Sequence, residues 1–211
     1  MAKQLAFYVN IAECVGCKAC QVACKDKNDL PEGIRWRRVF EYEGGEWVNQ
    51  DGTLIPSNLF SYFVSSACMH CENPICLEVC PAEAISKRDD GIVLIDEQKC
   101  VGCRYCSWAC PYGAPQFNEK RGIMTKCTFC SDLIDQGGSP ACVEACPYRA
   151  LEFGDLEELR AKHGDFNDPA PLPDPSITSP SIVYTANGST ESSDKATGHI
   201  MNLEEVSNER A

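Results

Sequence analysis

Apolar residues in this chain come in short runs. Leu5-Ala6-Phe7-Tyr8-Val9-Asn10-Ile11 and Gly91-Ile92-Val93-Leu94-Ile95-Asp96 are strand-like. Arg38-Val39-Phe40-Glu41-Tyr42, Gly44-Gly45 and Glu46-Trp47-Val48 predict a hairpin turning on the glycine pair. Residues 155–163 predict a helix, opened by a capping box of Asp155 with Glu158 and stopped by Gly164. From Asp165 onward Pro, Ser and Thr dominate and the periodicity fades. That tail reads as an extended arm or a partly disordered segment, ordered by a partner. No stretch approaches roughly eighteen consecutive apolar residues, so no membrane span is predicted.

Cysteine changes the picture, because 16 of the 211 residues are cysteine. Met1–Asn10 has one positive charge and an apolar run too short for a signal-peptide core. Synthesis and cofactor insertion are therefore expected in the reducing cytoplasm, where disulfides are disfavoured and dense cysteine indicates metal. Arg37-Arg38 lies far from the N-terminus and leads into Val39-Phe40-Glu41-Tyr42-Glu43, so it does not fit a twin-arginine signal. The pair reads as a solvated face or a partner contact. The formal charge is −12, and clusters with thiolate ligands add roughly −2 each when oxidised. With no basic stripe, a nucleic-acid partner is excluded, and charge does not favour a membrane surface either.

The cysteines form four quartets. Cys14, Cys17, Cys20 and Cys24 follow C-x2-C-x2-C-x3-C, which Cys100, Cys103, Cys106 and Cys110 repeat. Cys68, Cys71, Cys76 and Cys80 read C-x2-C-x4-C-x3-C, and Cys127, Cys130, Cys142 and Cys146 read C-x2-C-x11-C-x3-C. No cysteine is left over. A cubane [4Fe–4S] cluster has four iron corners, each taking one soft thiolate. Two-residue gaps let a short loop wrap the cube with its N–H groups turned to the sulfurs. In the two-cluster bacterial pattern the fourth cysteine ligates the neighbouring cluster and a proline follows. Pro81, Pro111 and Pro147 fill that place; Lys25 does not. Zinc would use two C-x2-C knuckles per ion, which suits the fourth quartet alone. A disulfide framework fits neither the regular spacing nor the reducing compartment.

The quartets lie inside a repeat of strand, cluster loop, short helix and strand, the ferredoxin half-unit. Two halves make a two-cluster domain, so four quartets predict two domains. The spacing allows quartet one with two and three with four as readily as any other pairing. His70, between ligands of a complete quartet, reads as a group around the cluster or in solvent. Tyr105 and Trp108, in the third loop, read as a shield against water. No catalytic triad, phosphate loop or open metal site is visible, and nothing suggests that the chain transforms a substrate alone.

Cys14-Val15-Gly16-Cys17-Lys18, Ala23-Cys24-Lys25-Asp26-Lys27, Cys100-Val101-Gly102-Cys103-Arg104-Tyr105-Cys106, Ala109-Cys110-Pro111-Tyr112-Gly113-Ala114-Pro115-Gln116 and Met124-Thr125-Lys126-Cys127 carry a resemblance. It continues through Glu158–Gly164 and Ala170-Pro171-Leu172-Pro173, nearly the whole chain. The chain resembles the four-cluster ferredoxin subunits of molybdenum-containing oxidoreductases, and among them the electron-transfer subunits of anaerobic dimethyl sulfoxide reductases. The resemblance implies four [4Fe–4S] clusters with exchanged fourth ligands. These are Cys14, Cys17, Cys20 and Cys146; Cys68, Cys71, Cys76 and Cys110; Cys100, Cys103, Cys106 and Cys80; and Cys127, Cys130, Cys142 and Cys24.

The implied fold is α+β: two ferredoxin-like two-cluster domains with a β-rich insertion and an extended C-terminal tail. Residues 1–24 and 111–164 would form the first domain, 25–67 the hairpin-containing insertion, 68–110 the second domain and 165–211 a partner-binding tail. Nitrate reductase relatives carry tryptophan at the place of Cys103 and hold a [3Fe–4S] cluster; Cys103 implies four irons. The implied partners are a molybdopterin catalytic subunit and an integral membrane anchor that oxidises quinol. The implied complex is peripheral to the membrane, with either face open through export alongside the catalytic partner. Subunits serving selenate, thiosulfate or polysulfide share the resemblance. A free soluble polyferredoxin needs neither the insertion nor the tail.

Overall fold

The computed structural model describes residues 3–207. Strand β1 (Leu5–Asn10) is followed by α1 (Ala19–Lys27), then the long strands β2 (Arg38–Gln50) and β3 (Thr53–Ser66). The middle of the chain alternates α2 (Ile75–Glu78), β4 (Ile85–Lys87), β5 (Val93–Ile95), α3 (Tyr105–Ala109), β6 (Gln116–Asn118) and β7 (Ile123–Thr125). Helices α4 (Ser131–Ile134) and α5 (Ala141–Glu144), strand β8 (Leu151–Asp155) and helix α6 (Leu156–His163) complete the body. The tail adds β9 (Ile182–Thr185), β10 (His199–Ile200) and α7 (Leu203–Val206). The class is α+β, with small sheets and short helices.

β1 is continuously apolar because both of its faces are covered. Ala6 and Tyr8 pack with Leu156 and Leu159 of α6 and Val183 of β9, while Leu5, Phe7 and Val9 enter the main core. β1 is also central in its sheet, antiparallel to β8 and parallel to β9. The β4–β5 and β6–β7 ribbons flank the middle cysteine loops.

The repeat in sequence is a repeat in backbone. Gly16 and Gly102 share φ +69°, and Lys18 and Arg104, one residue before α1 and α3, take φ 61° and 66°. A Cβ on Gly102 would run into the Gly122 carbonyl, so this loop accepts only glycine on two counts. Three residues past each Cys-Pro fourth cysteine the chain is left-handed again, at Glu83, Gly113 and Arg149. Proline also stops helices: α2, α3 and α5 all end just before their Cys-Pro. Lys25 keeps its N–H, so α1 runs on to Lys27. Lys25 Nζ then donates to the carbonyls of Leu30 (2.8 Å), Pro31 (2.6 Å) and Ile34 (3.3 Å), stitching down the start of the insertion.

Two elements differ from the sequence expectation. The hairpin exists, but it turns at Asp51-Gly52, where both φ values are positive (52° and 83°), the two-residue geometry that Asp-Gly favours. Gly44-Gly45 instead makes a β-bulge inside β2, where the register shifts between Gly44 and Glu46. The tail is not a loose arm over its described residues. β9 completes the β1 sheet, Ala170, Val183 and Tyr184 are fully buried, and β10 pairs with β2. Apolar residues spaced too irregularly to show a period still find cover on strands already in place. The helix at 156–163 forms, with the Asp155 carboxylate accepting from Glu157 N (3.0 Å) and Gly164 at φ 87° ending it.

Candidate metal centres

The cysteine loops deliver their side chains inward. All sixteen thiols are free, and Cys17 and Cys103 are the exposed ones. One cavity is lined by Cys14, Cys17, Cys20 and Cys146. A second is lined by Cys68, Cys71, Cys76 and Cys110, and a third by Cys80, Cys100, Cys103 and Cys106. Cys24, Cys127, Cys130 and Cys142 are all buried and act electrostatically on one another. Each group thus takes three cysteines from one quartet and one from another. Helix α1 carries Cys24 away from the loop that precedes it and toward α5, which carries Cys142.

The groups form a row. Cys20 feels Cys142 and Cys146, Cys127 feels Cys68, and Cys76 and Cys106 share an apolar cluster with Met124. The row therefore starts at the Cys103 group, passes the Cys68 and Cys127 groups and ends at the Cys17 group. Its two ends hold the two exposed thiols.

The donor set and its surroundings fit a multi-iron group. Among the described residues no three His, Cys, Asp or Glu side chains converge closely enough to hold a single metal ion. Tetrathiolate zinc needs its sulfurs about 2.3 Å from one centre. Here four thiols instead surround a cavity, which suits a cube with one thiolate per corner. Backbone N–H groups already point at sulfur, from Ala84 to Cys80 (3.3 Å), Met124 to Cys100 (3.4 Å) and Phe129 to Cys127 (3.4 Å). Burial pushes the thiols up, to about 11 for Cys14 and Cys106 and about 12 for Cys24, Cys71 and Cys76, with neighbouring thiolates adding to it. Without metal these five are neutral thiols, and iron must displace their protons.

Several neighbours depart from the sequence reading. Trp108 is 76% exposed and Tyr105 is also exposed, their rings 5.6 Å apart. Cys106 occupies the inward face of α3, so residues 105 and 108 share the outward one and do not shield the cavity. His70 is buried, not solvated: its Nδ1 accepts from Val93 N (2.9 Å) and its ring meets Phe129 edge-on. Burial also lowers its pKa well below the ordinary range, and Lys126 adds to that. Arg37 and Arg38 are 1% and 4% exposed, which overturns a solvated or partner-facing pair. Arg38 donates to the carbonyls of Tyr112 (2.6 Å), Gly113 (3.2 Å) and Val206 (2.8 Å). Lys126 is buried too, donating to the carbonyls of Val93 and Cys127. No cysteine spacing marks these three cations; adjacency of Lys126 to Cys127 is the one sequence signal.

Residues 13–84 and 59–156 each match a 4Fe-4S dicluster domain family. Over 98% of its length the chain is 48% identical to a subunit of the anaerobic dimethyl sulfoxide reductase of Escherichia coli, all of which is covered. The protein belongs to this family of dimethyl sulfoxide reductase iron–sulfur subunits. The corresponding dimethyl sulfoxide reductase subunit of Haemophilus influenzae is 44% identical over 97% of this chain and its own full length. A sulfite dehydrogenase subunit of Allochromatium vinosum is 38% identical over 74% of this chain and 70% of the relative. Membership makes this an iron–sulfur electron-transfer subunit of the kind that serves molybdoenzymes. No helix among the described residues is long and apolar enough to cross a membrane.

Proposed function

We propose that this chain carries electrons from a quinol-oxidising membrane anchor to a molybdopterin catalytic subunit that reduces dimethyl sulfoxide or other S- or N-oxides. The observation that carries this reading is the row of four thiol groups with one exposed thiol at each end. In it Cys14, Cys17, Cys20 and Cys146 hold one cluster; Cys24, Cys127, Cys130 and Cys142 the next; Cys68, Cys71, Cys76 and Cys110 the third; and Cys80, Cys100, Cys103 and Cys106 the last. When bound, each [4Fe–4S] group supplies one-electron redox chemistry with little change of shape. The chain's own residues do the rest. Thiolates fix position, amide N–H groups stabilise charge on sulfur, and buried apolar walls exclude water. Neither partner reaction occurs on this chain.

The two ends suit two partners. Val101, Tyr105 and Trp108 are exposed beside Cys103, and Val15 and Tyr148 near Cys17. The anchor docks at the Cys103 end and the catalytic subunit at the Cys17 end. The test is Cys103→Ser in the assembled complex. Quinol-driven reduction of the oxide should fall at least tenfold, while an artificial donor that reduces the catalytic subunit directly should still support turnover. Undiminished quinol-driven turnover would overturn the assignment of the ends.

A further inference from the structure

Arg37 combines full burial with a charge it cannot shed. A guanidinium taken out of water needs either a carboxylate or a full set of acceptors. Arg37 has neither: Nη1 donates to Ser65 Oγ (3.0 Å), while Nε and Nη2 have no hydrogen-bond partner. Its flat face covers the Phe7 ring at 4.6 Å. The groups around it that become anionic once iron displaces their protons are the thiols of Cys142, Cys20, Cys127 and Cys24. Cys20 belongs to the group at the Cys17 end, the other three to its neighbour. The Arg37 backbone N–H also serves Cys24, and Ser65 Oγ lies 3.5 Å from Cys20 Sγ. Arg38 and Lys126 are buried cations of a different kind, because carbonyl oxygens accept from them.

We propose that Arg37 is a positioning residue shared by two neighbouring iron–sulfur sites, holding one fixed positive charge and two unpartnered nitrogens, Nε and Nη2, between them so that both are easier to reduce. Reduction adds a negative charge, and a cation fixed nearby favours the more negative state. Burial leaves this interaction poorly screened, by solvent or by salt. Arg37 sits at the Cys17 end of the row, where the proposed function has electrons leave. It therefore biases the resting electrons toward the catalytic partner. The other two sites lie beyond the Cys127 group and feel it less.

The inference rests on the proposed ligand sets, and one experiment separates the two. Arg37→Gln and Arg37→Lys are made in the assembled complex, and iron content and potentiometric EPR are recorded beside the wild type. In Arg37→Gln, two of the four couples should move to lower potential, their reduced fraction at a fixed poise falling several-fold. The other two couples should stay in place. Arg37→Lys, which keeps the charge but not the fork, should restore part of the shift. Four unmoved couples at full iron content would overturn the role, as would an equal shift of all four. Should Arg37→Gln lose iron, the Lys variant decides: a smaller shift of the same two couples supports the role, and unmoved or uniformly moved couples overturn it. A wild-type complex short of iron would sink the proposed function itself, whatever the variants do.

Discussion

At the scale of single residues, spacing reveals which side chains share a loop but not what a buried neighbour does. The cysteine periods were legible because four iron corners demand regular gaps, whereas Arg37 and Lys126 sit in no period at all. Burial of the thiols has a consequence in pH. Their folded values of about 11 to 12 lie above the ordinary 9.0. The neutral thiol therefore favours the metal-free fold below about pH 9, and that contribution is lost as pH rises through the folded values. Protons compete with iron for the same sulfurs. Reconstitution of the metal-free chain with iron and sulfide should accordingly give a higher yield at about pH 8.5 than at about pH 6.5, read from the visible charge-transfer absorbance. A yield that rises on acidification would contradict protonated thiols in the metal-free chain.

At the scale of elements, the same residue types mean different things by place. Gly44-Gly45 resembles a turn but bulges a strand, because Asp51-Gly52 supplies the two positive φ values that a tight hairpin needs. A glycine pair alone does not distinguish these outcomes; the length of the apolar alternation on either side does. Two substitutions separate backbone strain from collision. A Cβ on Gly52 meets nothing, so Gly52→Ala should cost about 1 kcal/mol locally. Faster hydrogen exchange in the outer hairpin, with full iron content, is the expected record. Gly102→Ala puts a methyl into the Gly122 carbonyl beside the Cys103 loop and should lower iron content. The Asp155 cap contributes about 1 kcal/mol, so Asp155→Ala should lower the melting midpoint by a few degrees.

At the scale of the whole molecule, the tail is the main departure from the sequence reading. Its described part supplies β9, and α7 locks onto the first cysteine loop through Glu205, which accepts from Lys18 (2.5 Å) and Gln21 (2.8 Å). Ile182, Val183 and Tyr184 are buried, and each such side chain is worth about 1.5–3 kcal/mol. Removal of residues 165–211 should therefore prevent stable folding, seen as insoluble or iron-poor protein. A soluble, fully loaded truncation would restore the reading of a dispensable partner arm. The central claim, four cubanes in a row, is tested most directly by iron and acid-labile sulfide analysis of the purified complex combined with an EPR redox titration. After subtraction of the partners' metals, about sixteen irons, as many sulfides and four one-electron transitions are predicted for this chain. Zinc in place of iron, or a stable three-iron signal without oxidative damage, would contradict it.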